Sequence, residues 1–165
     1  MPFNENNGIH IREFKPNEDV EKLVNLFYTT VHTINRKDYI KDQLNVWANE
    51  ADRMSHIVKW EKEFNENDTF IAEIDEQVVG FIDCTKAGYL DRLFVDADFQ
   101  GQGIATALVK KVEAIARQNH LEKIELHASI TAKPLFEHLG YQVLTRNIVT
   151  LKGIELLNYH MCKSI

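Results

Sequence analysis

The chain has 165 residues, of which 44% are apolar and 27% charged, with a formal net charge of −6. That length suits one domain, spanning residues 1–165, whose core needs neither metal nor disulfide support. Charge of this sign, without long runs, argues against general nucleic-acid binding, which needs a basic stripe, and is compatible with a cationic substrate.

The opening segment MPFNENNGIH is polar and lacks the apolar centre of a signal peptide. Residues 9–14 (IHIREF) alternate and predict a first strand. Pro16, Asn17 and Glu18 then open a helix that carries Val20, Leu23, Val24, Phe27 and Val31 on one face. Residues 36–50 place Ile40, Leu44, Trp47 and Ala48 at helical spacing, and 55–64 predict a third, short helix.

The period changes after that. TFIAEI (69–74) and VVGFIDCT (78–85) read as a hairpin joined by Asp75, Glu76 and Gln77, and 88–96 as a further strand. Residues 104–115 carry Ile104, Leu108, Val112 and Ile115 on one helical face. A strand at 123–128 follows, then a short helix at 131–139 closed by Gly140. Two last strands flank Lys152-Gly153, which predicts an α+β fold with a mixed sheet. No apolar run approaches a membrane span, so a cytoplasmic protein without a membrane partner is expected. Cys84 and Cys162 stand far apart and predict reduced thiols, and the seven histidines lack metal-ligand spacing, so no metal is expected.

The least ordinary stretch is DADFQGQGIATALVKKVEAIARQ, where Gly101 and Gly103 lie between a strand and a helix. The first N–H groups of a helix lack internal partners, and the helix dipole places partial positive charge there. Glycines let that backbone approach an anion, because no Cβ intervenes. Gln100 to Thr106 therefore predict a phosphate cradle, with a plain turn and cap as the alternative. A P-loop is excluded because no Gly-Lys-Ser/Thr follows at the required spacing. A dinucleotide fingerprint would require glycine where Thr106 stands, although Glu125, about 20 residues on, sits where a ribose-binding acid would.

With these residues in place, the sequence resembles the GNAT superfamily of acetyl-CoA-dependent N-acetyltransferases. Gln100, Gly103 and Ala105 match its Arg/Gln-x-x-Gly-x-Gly/Ala motif. ASITAKPLFEHLGYQV resembles its second signature, Ala-x-x-Phe-Tyr-Glu-x-x-Gly-Phe. The resemblance is with an uncharacterised bacterial subgroup and supplies no substrate. It implies a mostly antiparallel sheet of about seven strands, flanked by helices and splayed between the fourth and fifth.

The resemblance further implies acetyl-CoA as co-substrate. Its pantetheine arm would lie along Leu93, Phe94 and Val95. Its pyrophosphate would sit on Gln100, Gly101, Gln102, Gly103, Ile104, Ala105 and Thr106, with Ser129, Lys133 and Phe136 near the thioester. The implied reaction is direct acetyl transfer to a small-molecule or peptide amine. The Leu93 N–H would be the oxyanion donor and Asp91 a candidate base, a solvated edge charge being the alternative.

Phe136 stands where the family often has a tyrosine acid, and Ser129 where asparagine is common. Tyr28 and Tyr39 are the candidate substitutes for the acid, and Tyr141 is expected in the core. Tyr28, His32 and Trp47 are the candidate acceptor-binding residues, against core packing for Trp47 and a satisfied hydrogen bond for His32. His56, His120, His127 and His138 read as structural or solvated. Two further readings stay open: a CoA-binding protein that has lost turnover, and a nucleotide-binding module. A homodimer is compatible with either.

Overall fold

Alternating apolar residues make hairpins here because the turns between them are tight. Strand β2 (Asp68–Ile74) returns as β3 (Gln77–Cys84) through Asp75 and Glu76, at φ 50° and 67°. Two consecutive left-handed residues give the turn whose twist matches that of the paired strands. Lys152 and Gly153, at φ 49° and 81°, do the same between β6 (Gln142–Leu151) and β7 (Ile154–Ser164). The computed structural model describes residues 8–165, so residues 1–7 of the polar opening segment lie outside the described residues.

Strands β1 (His10–Glu13), β4 (Tyr89–Val95) and β5 (Lys123–Ser129) complete a seven-stranded sheet in the order β1-β2-β3-β4-β5-β7-β6. All neighbours run antiparallel except β4 and β5. That parallel pair is registered only at Tyr89–Glu125 and Leu90–Leu126, after which the strands part. At the far edge of the sheet, β6 is exposed along nearly its whole length.

Each face of the sheet has its own core. Helix α4 (Ile104–Gln118) lays Ile104, Leu108, Val109 and Val112 against Val79, Ile82, Ile124 and Leu126. The short α5 (Lys133–His138) adds Phe136 to this side. On the other face, α1 (Val20–Thr33), α2 (Lys41–Trp47) and α3 (Arg53–Glu66) bury Leu23, Phe27, Leu44, Trp60 and Phe64 against Ile71 and Phe81. Burial of side chains of this size, at about 2 kcal/mol each, supplies most of the favourable free energy of folding.

The predicted helix over 36–50 is broken in two. A single 3-10 turn at Asn35–Lys37 is followed by an extended Ile40, and α2 starts only at Lys41. Between them, the Tyr39 hydroxyl is buried on the Leu157 carbonyl at 2.7 Å, and Asp38 accepts from the Thr131 hydroxyl at 2.7 Å. These tertiary bonds pull the chain inward and override the helical period. Helix α3 begins and ends two residues beyond the expected 55–64.

Candidate functional site

The turn between β4 and α4 is organised by side chains that cap it from within. Asp96 accepts from the Asp98 N–H at 2.8 Å, and the Gln100 amide donates to the Val95 carbonyl at 2.8 Å. The Val95 carbonyl also accepts from the buried Thr30 hydroxyl at 3.2 Å. Gly101 and Gly103 sit at φ 74° and 81°, and Gly103 is the residue from which α4 starts. A Cβ at either would meet nothing within 4 Å, so glycine serves the left-handed backbone and leaves the space ahead open.

The first bond into the helix runs from the Ala107 N–H to the Gly103 carbonyl at 3.0 Å. The N–H groups of Gly103, Ile104, Ala105 and Thr106 have no protein acceptor among the described residues. Four such donors stand at the positive end of a 15-residue helix, an arrangement that favours negative charge.

This turn forms one wall of a cavity of about 640 Å³. Leu93, Phe94, Val95, Gln100, Gly101, Gly103, Ile104, Ala105 and Thr106 line that side, and Ser129 and Ala132 face them from β5 and the approach to α5. The structure thus gathers most of the expected cofactor residues at the splay. Gln102 is exposed and outside the lining. Lys133 also lies outside, with its ammonium 5.0 Å over the Tyr159 ring and 3.4 Å from Glu137. Glu125 lines neither this cavity nor its neighbour and is paired with Lys123 at 2.9 Å.

A second cavity, of about 380 Å³, adjoins the first along the same strands. It shares Leu93, Phe94, Ser129 and Ala132 with the first. Its walls are aromatic: Trp47 from α2, His56 and Trp60 from α3, Phe27 from α1, and Phe136 from α5. Val149, Leu151 and Leu156 of the last hairpin close it, and that hairpin's turn is tied down by Lys152 on Asp52 at 2.9 Å. Tyr39 lines it too, with its hydroxyl donating to Leu157 and accepting from the Ile130 N–H at 2.9 Å.

The cation of this cavity is Arg92. It is buried and pairs with Asp83 at 2.7 Å, Asp91 at 3.1 Å and also Glu63. Its guanidinium lies 4.8 Å from the Trp60 ring centre and 5.0 Å from that of Phe64. Asp83 is fully buried, and loss of water pushes its carboxyl up to about 6 although Arg92 pulls the other way. Asp91 lines the cavity as expected, but its carboxylate is engaged by Arg92.

Trp47 reaches this cavity, whereas Tyr28 and His32 line a separate depression with Asn45, Asn49 and Arg53. The His32 Nε2 donates to the Ala48 carbonyl at 2.8 Å. The Tyr28 hydroxyl lies 2.6 Å from the Asn49 carbonyl and 2.8 Å from His56 Nδ1. His127 borders the cavity, stacked on His160 with ring centres 4.9 Å apart.

Tyr141 is in the core, donating to Glu113 at 2.9 Å. Both cysteines are free, and burial pushes the Cys84 thiol up to about 12. Among the described residues no group of three or more metal-binding side chains occurs, and no helix is long and apolar enough to cross a membrane.

The sequence patterns do not single out Arg92, Asp83 or Trp60, and His56, expected as structural or solvated, is part of the cavity wall. A signal existed for the first two: Asp83 is the lone charge of the apolar strand VVGFIDC, and Arg92 stands beside Asp91 inside the otherwise apolar YLDRLFV. Partnered charges in neighbouring strands are how such residues are buried.

Comparison with known proteins agrees with this geometry. Residues 35–163 match the model of a family described as an acetyltransferase (GNAT) domain. YafP, an uncharacterized N-acetyltransferase of Escherichia coli (strain K12), is 32% identical over 155 residues, spanning 94% of this chain and 95% of that protein. A crystal structure of a GCN5-related N-acetyltransferase from Rhodopseudomonas palustris superposes with a TM-score of 0.87 at 27% identity, covering 94% of this chain and 95% of that one. The PaiA N-acetyltransferase of Thermoplasma acidophilum, solved in complex with coenzyme A, shares the fold with a TM-score of 0.77 at 18% identity, over 95% of this chain and 99% of its own.

Proposed function

The chain belongs to the GNAT acetyltransferase family, and from that premise we propose that it moves an acetyl group from acetyl-CoA to a primary amine of a small molecule or peptide, with both ligands bound at once. The observation that carries this reading is the pair of cavities meeting at the β4–β5 splay, with Leu93 and Ser129 in both. Ligands held in the two cavities would touch there. Without that meeting point, direct transfer would have no place to occur.

The open N–H groups of Gly103 to Thr106, with Gly101 clearing the approach, fit the pyrophosphate of acetyl-CoA, and the 640 Å³ cavity takes the pantetheine arm. When bound, acetyl-CoA supplies the thioester carbonyl on which the amine reacts. The Leu93 N–H is the donor for the carbonyl oxygen as negative charge develops on it. Asp91 keeps Arg92 in place, and the aromatic walls exclude water from the amine.

None of the expected acids offers a proton to the departing sulfur. Phe136 has no proton to give, and the Tyr28 and Tyr39 hydroxyl protons lie on the carbonyls of Asn49 and Leu157. A thiol with a pKa of about 8.5 leaves acceptably as the thiolate, so turnover does not need one.

The test is free-thiol release from acetyl-CoA over a panel of phenethylamine, tryptamine, spermidine and a lysyl peptide. Release above background with any of them supports the proposal. Tight acetyl-CoA binding by calorimetry, without release, favours the second reading of a binder without turnover, which Phe136 motivates. Tight NAD binding with no acetyl-CoA binding would overturn both.

A further inference from the structure

We infer that His56 is the general base of this site, held in one tautomer by Tyr28. The inference rests on the proposed acetyl transfer and names the residue that takes the acceptor's proton.

The tautomer follows from counting protons. The Tyr28 hydroxyl carries one proton and lies 2.6 Å from the Asn49 carbonyl, which can only accept. That proton is therefore given to Asn49. The 2.8 Å contact between the same hydroxyl oxygen and His56 Nδ1 then has to be donated by the ring, so Nδ1 carries the hydrogen. In a neutral imidazole the other nitrogen, Nε2, is then a bare lone pair. Nε2 has no protein partner among the described residues, and His56 is part of the wall of the acceptor cavity. It is the one lining histidine whose tautomer the structure fixes in this way, since the Tyr89 hydroxyl bonded to His127 has no second partner among the described residues.

The surroundings suit the role. The ring sits 5.4 Å from Trp60 and edge-on to Phe27 at 5.8 Å, so the imidazolium formed on taking a proton lies among aromatic rings. Burial keeps the imidazole neutral to lower pH than usual. Lys59, Arg92 and Lys152 act in the same direction, and Asp52 opposes them. Arg53, over the Tyr28 ring at 4.3 Å, holds the tyrosine from its outer side.

The step balances simply. An ammonium acceptor gives one proton to Nε2. The freed nitrogen lone pair forms the C–N bond, the C–S bond breaks, and its electron pair leaves on sulfur. The second nitrogen proton goes to that sulfur, and Nε2 returns its proton to water. Tyr28 acts through His56 and is a positioning residue.

His56→Asn tests this directly, because its amide keeps a donor toward Tyr28 while removing the base. With the fastest amine of the panel at saturation, kcat should fall by about 10²-fold, its decline toward acid pH should disappear, and acetyl-CoA affinity should stay within twofold. Tyr28→Phe should lower kcat less, by about tenfold, and shift the acid limb. Unchanged kcat and an unchanged acid limb in His56→Asn overturn the assignment. Histidine 15N NMR of the unaltered protein reads the tautomer independently of turnover. A hydrogen on Nδ1 supports the inference, and one on Nε2 overturns it. Absence of thiol release from the unaltered protein with every amine would instead sink the transfer reading itself, whatever the tautomer.

Discussion

The cleft beside α4 and the aromatic cavity beside α3 share Leu93, Phe94, Ser129 and Ala132, yet they are built by different means. The first is lined by main-chain groups. Its donors are N–H groups of one continuous segment, and the conditions for exposing them are local: left-handed glycines, a helix start, a strand end. The second is a side-chain site. Trp47, His56, Trp60, Arg92 and Leu156 come from α2, α3, β4 and β7, and no two of them form a motif. The general lesson is that backbone chemistry writes itself into a short sequence, whereas a box of side chains is written only in the fold.

The largest effect expected on the second region is on its stability. Arg92→Met strands the buried Asp83 carboxylate and should cost about 3 kcal/mol in urea unfolding. Asp83 already has its carboxyl pushed up to about 6, so protonation relieves the cost and the loss should be smaller at pH 5 than at pH 8. An equal loss at both pH values would break the claim that this charge cluster underlies the cavity.

For the first region, Gly103→Val tests the main-chain site. A β-branched residue at φ 81° is strained by about 1–3 kcal/mol and stands where the anion would lie. CoA affinity measured by calorimetry should drop at least tenfold, while melting falls by only a few degrees. Unchanged affinity would remove the cradle.

Trp47→Ala sharpens the division between the two. It should raise the amine KM several-fold and leave the acetyl-CoA KM alone, because Trp47 lines only the aromatic cavity. A shift in both would mean that the shared wall couples the sites. The smallest effect is expected from Phe136→Tyr. Phe136 packs edge-on to Tyr141 at 5.3 Å, and restoring a hydroxyl there should change kcat by less than about threefold if sulfur needs no acid.

What the sequence disclosed follows the same line. The strand periods, both left-handed hairpin turns and the glycine-led helix are short-range, and the sheet follows them within a residue or two. The splay was implied by family resemblance, and its register of two residue pairs is a tertiary fact. Trp47 lines the aromatic cavity, whereas Tyr28 and His32, expected beside it because the family resemblance assigns acceptor contacts to the first two helices, line a separate depression. Helix α1 turns them to the outer side, where their polar atoms meet backbone carbonyls. The break at Tyr39 was illegible for the same reason, since its hydroxyl answers to Leu157, more than a hundred residues on.

Strand β6 has a consequence for handling the protein. Ten residues of rim backbone, with Leu144, Ile148 and Leu151 bared alongside, form a ready template for chain-to-chain zipping into fibrils or precipitate. Its defences are few: the irregular step between Val143 and Thr145 and the single cation Arg146. Concentrated stocks should therefore keep best where Arg146 repels its copies unscreened, at low ionic strength.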